Sequence, residues 1–331
     1  MRYLRLSLRS LALAVFVGVL APAPAARAEL PLNTYSIVAR DPRTGDFGVA
    51  VQSHWFQVGP LAAWAEAGVG AVATQALTNP AYGPEGLALM REGKSAQEAL
   101  DLLLERDPKR HNRQVAFVDA KGRVAQWTGE KCLPAAGGSR GEGFATQANL
   151  MATDKVWPAM AAAYREADGP LAERLLAALV AAERSGGDLR GAQSAALLIV
   201  PAKATGKPWE DVSMSLRVAD HPQPVQELAR LLRLRRAYDA WAAADTLLAA
   251  GKKEQARKGF ELANMLSDGS SELIFWGAVS RYQAGDREEA LAALGDLFRR
   301  DGRWRELLRR LPDGAVLSSE DAAAILKATE R

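Results

Sequence analysis

TYSIVAR (34–40), DPRTGD (41–46) and FGVAVQS (47–53) follow one another without a gap, and their reading decides the fold. The outer segments alternate with period two and are rich in β-branched and aromatic residues, as strands are. Between them Pro42 and Gly45 supply turn geometry, so the unit is a β-hairpin. Moving outward, the same patterns predict a strand over 69–75, helices over 84–92 and 95–105, and a second hairpin, 113–119 with 123–128. Ser95 and Glu98 have capping-box spacing at the start of the second helix. A strand over 143–151, helices over 154–167 and 170–185, and strands over 194–200 and 212–218 complete this mixed region.

A doubly wound parallel sheet needs single helices alternating with strands. Here strands, two helices, strands, two helices and strands succeed one another, which predicts two antiparallel sheets with helix pairs outside. SAALLIV (194–200) is nearly all apolar, as a strand covered on both faces would be, whereas 123–128 alternates and should have one wet face.

The texture changes near residue 224. Asp220-His221-Pro222-Gln223-Pro224 places two prolines within three residues, which ends any element crossing it. Beyond it runs one long helical pattern over 225–250, and Gly251-Lys252-Lys253-Glu254-Gln255-Ala256 is echoed 34 residues later by Gly285-Asp286-Arg287-Glu288-Glu289-Ala290. Ala244 with Ala278, and Phe260 with Leu294, share the offset, giving the small and large apolar positions of a tetratricopeptide-like repeat. Trp241, Phe275 and Trp276 belong to the core of those helices. The chain divides into 1–28, 29–224 and 225–331.

The first segment reads as a secretory signal. Arg2, Arg5 and Arg9 precede an apolar run from Leu11 to Leu20, and Ala26-Arg27-Ala28 offers small residues where signal peptidase cuts. The run is too short to span a bilayer, and no later stretch approaches the length needed, so no stable membrane anchor is expected. Cleavage after Ala28 would remove four arginines and no acid, leaving one more acidic than basic side chain. That balance gives no electrostatic reason to propose nucleic acid as a partner. The expected address is the periplasm or the exterior.

Cys132 is the single cysteine, which excludes an internal disulfide and any Cys-based metal or redox pair. His54, His111 and His221 are scattered without ligand spacing, so no metal and no cofactor is expected. Gly68 to Ala73 spells a loose dinucleotide fingerprint but runs into a strand. Gly137-Gly138-Ser139-Arg140-Gly141 spells a nucleophile elbow but sits in a glycine-rich loop with no helix after it.

TYSIVARD, GDFGVAVQSHWFQVG, AEAGVGAVATQALTNPAYGPEGL, GEGFATQANLM, GGDLRGAQSAALLIV and RVADHPQPV resemble, in order, the bacterial family known as domain of unknown function 1028. The resemblance covers about residues 33 to 224. It implies an α+β fold, a four-layer αββα sandwich of the N-terminal-nucleophile hydrolase type, followed here by the all-α tetratricopeptide-like region. Some members of the family carry a C-terminal extension described as peptidoglycan-binding, and the helical tail occupies that place.

In that hydrolase class the base is the nucleophile's own α-amine, so the nucleophile must be the first residue of the mature chain. The resemblance therefore singles out Thr34, at the head of the first strand. Ser53, Asn149 and Asp188 are candidate catalytic partners, and Gln75, Asn79 and Gln193 candidate substrate-binding residues, as oxyanion donors or groups that orient the amine. The same polar residues, set in apolar blocks, could instead satisfy buried backbone groups. Signal cleavage would leave Glu29-Leu30-Pro31-Leu32-Asn33 ahead of Thr34, and Pro31 and Asn33 do not suit signal peptidase at the next bond. Self-processing, with the Thr34 hydroxyl attacking the Asn33 carbonyl, would free the amine. Two readings stay open: an exported hydrolase of a small amide or peptide-like substrate, or a non-catalytic envelope scaffold whose tail binds a partner or peptidoglycan.

Cell fractionation should find the protein outside the cytoplasm with residues 1–28 missing by N-terminal sequencing. Full-length chain in the cytosol would refute the signal.

Overall fold

The computed structural model describes residues 31–330, and the expected signal segment lies outside them. The first half of the chain gives β1 (Pro31–Leu32), β2 (Thr34–Arg40), β3 (Phe47–Ser53), a short α1 (Gly59–Ala62), β4 (Ala63–Glu66) and β5 (Gly70–Leu77). Helices α2 (Tyr82–Arg91) and α3 (Ala96–Arg106) follow, then β6 (Arg113–Asp119), β7 (Val124–Thr128), β8 (Gly137–Gly141) and β9 (Phe144–Ala148). Helices α4 (Val156–Glu166) and α5 (Leu171–Arg184) lead to β10 (Ser194–Val200) and β11 (Met214–Val218). The helical region holds α6 (Pro224–Ala249), α7 (Lys253–Leu266), α8 (Ser271–Gln283), α9 (Arg287–Arg300), α10 (Arg303–Arg310) and α11 (Ser319–Ala328).

Among the described residues the strands form two antiparallel sheets. One has the order β1-β5-β6-β7, with β4 also on β5, and the other β11-β10-β3-β2-β9-β8. The alternation of β2 sends Val38 into the gap between the sheets, where it meets Val49, Val51, Ala71, Ala73, Ala116 and Val118. Tyr35, Ile37 and Ala39 point the other way, onto Met160, Leu175 and Leu179 of α4 and α5. The outer face of the first sheet, through Val72, Val115 and Phe117, packs on Leu87, Leu100 and Leu103 of α2 and α3. The order of layers is therefore helices, sheet, sheet, helices. Both faces of β2, β3, β5 and β6 are covered, which is why their residues are buried almost without exception.

Two details differ from the expectation. Gly137–Gly141, expected as a loop, is edge strand β8, paired with β9 from Gly137↔Ala148 to Gly141↔Phe144. A Cβ on Gly138 would lie 2.2 Å from the Gln126 amide, so glycine here permits close approach of the sheets. Strands β1 and β4 are too short to leave a period in the sequence. The Ser95 capping box forms as expected, with the Ser95 N–H donating to Glu98 Oε2 at 2.7 Å and the Glu98 N–H to Ser95 Oγ at 3.2 Å.

Helix α6 begins at Pro224, where proline lacks the donor that a first turn does not use. Its first half closes the sandwich through Val225, Leu228 and Leu232, and Arg236 makes two bonds to Glu173 of α5 at 2.7 and 2.8 Å. Its second half turns at Gly251 into α7, burying Ala244, Leu248, Ala256 and Phe260 together. After α8 the chain turns at Gly285 into α9, burying Phe275, Ala278, Ala290 and Leu294, and α10 and α11 close that cluster with Leu308 and Ile325. The two helical hairpins thus sit where the 34-residue echo lies. No described helix is long and apolar enough to cross a membrane.

A Cβ placed on Gly86 of α2 would fall 2.5 Å from the Phe117 ring. Gly86→Ala should therefore overpack the outer helix layer, lowering stability by about 1–3 kcal/mol and shifting the urea midpoint down.

Candidate functional site

Period two carries Thr34 and Ser36 to the same inter-sheet face as Val38, so the gap that is apolar at one end is polar at the other. Thr34 is fully buried at the head of β2, opposite Ser53 of β3. Its Oγ1 donates to Ser53 Oγ at 3.1 Å, and Ser53 Oγ donates to the carbonyl of Asn33 at 2.6 Å. The same carbonyl accepts a bond from Arg190 Nη2 at 2.9 Å. Asp188 holds that guanidinium with bonds of 3.2 and 2.9 Å from Nε and Nη2, and its carboxylate also accepts the backbone N–H of Arg190.

Amide side chains surround the other side of Thr34. Its carbonyl accepts from Gln75 Nε2 at 2.9 Å and from the Asn149 N–H at 3.1 Å. Gln114 Oε1 accepts from Gln75 Nε2 at 2.7 Å and from Asn149 Nδ2 at 3.0 Å. Ser36 Oγ donates to Gln75 Oε1 at 2.6 Å, and Gln147 Nε2 donates to the Ala73 carbonyl at 3.2 Å. In surroundings this dry each bond is stronger than in water, and each missing partner is expensive. Buried atoms without a hydrogen-bond partner among the described residues also gather here: Asn33 Oδ1, Gln147 Oε1 and Asn149 Oδ1. Such atoms are rare in folded proteins and call for an explanation.

The chain reaches Thr34 from the opposite sheet. β1 pairs with β5 through Pro31↔Leu77 and Leu32↔Ala76, so Asn33 alone crosses the gap. In this state the Thr34 nitrogen belongs to a peptide bond and cannot act as a base. Ala76 and Leu150, which directly follow Gln75 and Asn149, have φ of 68° and 54°. Left-handed non-glycine residues cost about 1–3 kcal/mol and persist where the surroundings fix them. On the helix side of β2, burial raises the pKa of both the Tyr35 phenol and the Glu183 carboxyl.

Of the residues expected from sequence, Thr34, Ser53, Gln75 and Asn149 lie in one bonded cluster, and Asp188 joins it through Arg190. Asn79 and Gln193 lie apart. Asn79 Oδ1 accepts the Ala81 N–H at 3.1 Å and so shapes the start of α2. It lines a cavity of about 320 Å³ with Tyr82, Asp107 and Arg113. Burial pushes the Asp107 carboxyl up, but the Arg113 guanidinium at 2.7 Å and the Lys109 N–H outweigh it and leave the pKa below its ordinary value. Gln193 spends its side chain on Asp220 at 3.0 Å, while its N–H donates to the Ser53 carbonyl at 3.2 Å and fixes that backbone. Sequence reasoning missed Gln114, Gln147 and Arg190. The two glutamines were detectable as polar residues at inward positions of RQVAFVD and FATQA; Arg190, in a turn, leaves no such mark. Among the described residues no group of three His, Cys, Asp or Glu could hold a metal ion.

No curated protein matches the chain. A crystal structure of a Silicibacter pomeroyi protein of family DUF1028 is similar with a TM-score of 0.55 and 30% identity, covering 60% of this chain and 88% of that one. Anbu, the ancestral beta-subunit from Yersinia bercovieri, is 13% identical with a TM-score of 0.30, covering 59% of this chain and 90% of its own, a likeness too faint to carry an argument. The model of the family of unknown function DUF1028 matches residues 34–228, from the head of β2 into the first turns of α6. The chain belongs to that family.

Proposed function

We propose that this chain is an exported amide-bond hydrolase of the N-terminal-nucleophile type, and that its helix-sheet-sheet-helix layers are the αββα sandwich of that class. The observation that carries the reading is the Asn33 carbonyl. Ser53 and Arg190 both donate to it, at 2.6 and 2.9 Å, and the Thr34 hydroxyl is bonded to one of those donors. Two donors on one carbonyl, beside a hydroxyl that can reach its carbon through a five-membered ring, are what an acyl shift requires.

In the processing step Thr34 Oγ1 bonds to the Asn33 carbonyl carbon. Its proton passes to Ser53 Oγ, whose own proton moves onto the carbonyl oxygen, while Arg190 stabilises the charge that develops there. The C–N bond then breaks with a proton delivered to the Thr34 nitrogen, leaving an ester and a free α-amine. Water hydrolyses the ester, releasing a chain that ends in the Asn33 carboxylate. The mature Thr34 then carries nucleophile and base on one residue. Gln75, Gln114 and Asn149 hold its backbone, and Ser53 with Arg190 receives the carbonyl oxygen of the incoming amide. No cofactor enters this chemistry. The helical region, read as tetratricopeptide-like, would tether the sandwich to a partner or to wall material in the periplasm.

A non-catalytic scaffold is the competing reading, favoured by the full burial of Thr34 behind Asn33. Intact-mass measurement of protein from its native host separates the two. The hydrolase should begin at Thr34. Thr34→Ala should keep the preceding residues and lose amide hydrolysis, and Ser53→Ala should slow processing about 10²–10³-fold, as loss of one oxyanion donor does. Wild type and Thr34→Ala both beginning at Glu29, with identical behaviour towards amides, would leave the scaffold.

A further inference from the structure

The segment that Thr34 would cut away is itself bound, and the way it is bound describes a substrate. It enters along β5 in antiparallel register, Pro31↔Leu77 and Leu32↔Ala76, and delivers the Asn33 carbonyl to Ser53 and Arg190. Residues directly opposite one another in such a ladder alternate between exchanging two N–H···O bonds and none. Pro31 has no N–H, so Leu32↔Ala76 is the pair that exchanges both.

The earlier part of that edge of β5, Gly70 to Ala73, is taken by β4. Release of residues 31–33 would leave Ala76, which is 3% exposed, with its N–H short of its strand partner in a buried place and its carbonyl held only by the Thr78 hydroxyl at 3.3 Å. Left-handed Ala76 sits next to Gln75, the side chain that holds the Thr34 carbonyl, so this part of the edge is built into the site.

We infer that the substrate is an extended peptide whose acyl side adds to β5 as a strand in the place of Pro31-Leu32-Asn33, its scissile carbonyl on Ser53 and Arg190. This deepens, and rests on, the reading of Thr34 as nucleophile. A small amide with no backbone ahead of its acyl carbon could use the two carbonyl donors but would leave the Ala76 N–H without its strand partner and the Ala76 carbonyl with only the Thr78 hydroxyl, at 3.3 Å. A peptide restores the bonds that processing removes, the recognition mode of strand addition.

The test uses protein from its native host and aminocoumarin amides of acetyl-Asn, acetyl-Pro-Leu-Asn and acetyl-Pro-(N-methyl-Leu)-Asn. Methylation deletes the donor that faces the Ala76 carbonyl. The expected result is a rise in kcat/KM of at least about tenfold from the first amide to the second, lost in the third. Equal rates for all three would overturn the strand-addition inference while leaving the hydrolase intact. If a chain beginning at Thr34 cleaves none of them, calorimetric binding of the two tripeptide acids decides: weaker binding of the methylated acid supports the inference, and equal or absent binding overturns it. A chain that still begins before Thr34 and cleaves nothing overturns both.

Discussion

Gln114 sits in the first sheet with both ends of its amide engaged. Its oxygen accepts from Gln75 and Asn149, and the two hydrogens on Nε2 are shared among Thr128 Oγ1, the Gly137 carbonyl and the Ala148 carbonyl at 2.9 to 3.1 Å. Gly137 and Ala148 belong to the second sheet, so this one side chain ties the two sheets at their polar end. A buried amide left without partners costs about 1–3 kcal/mol, which forces the surrounding residues into a single arrangement. The positions of Thr34, Gln75 and Asn149 follow from it. The apolar contacts of Val38, Val49 and Val51 bring the sheets together without fixing which hydroxyl faces which carbonyl.

The strands of the hairpin 34–53 could be read from sequence because their length and alternation are ordinary, and the helix pairs because their apolar stripes are wide. The glycine-rich strand β8 could not. Its composition speaks for a loop, and only the approach of Gln126 and Trp157 to Gly138 and Gly137 explains why those residues carry no side chain. The site was half legible for a similar reason. A polar residue on the inner face of a covered strand stands out, which identifies Ser53 and Gln75, whereas Thr34 is singled out by the family resemblance. Asn79 looked the same, yet it closes a turn, and Gln193 lies where its strand meets solvent. Arg190 reaches the Asn33 carbonyl from 157 residues away in the chain, a contact no local pattern encodes.

The N-terminal segment binds the layers in a different sense from the amides. β1 belongs to one sheet and β2 to the other, with Asn33 between them. The covalent chain itself therefore crosses the gap at the point where the hydroxyl, the carbonyl and the guanidinium converge. A bond in that position is held in one geometry by two sheets at once.

Helix α6 runs unbroken for 26 residues, about 39 Å at the usual rise, and both of its halves are committed: the first to the sandwich, the second to the hairpin with α7. With no loop between them, the two parts of the molecule lack a hinge. Any surface that held the far helices would set the direction in which the Thr34 end of the sandwich points, as a boom of fixed length and bearing does and a leash does not. An insertion of one residue in the middle of α6 would swing that bearing by about 100°, a change of aim with no change in either core.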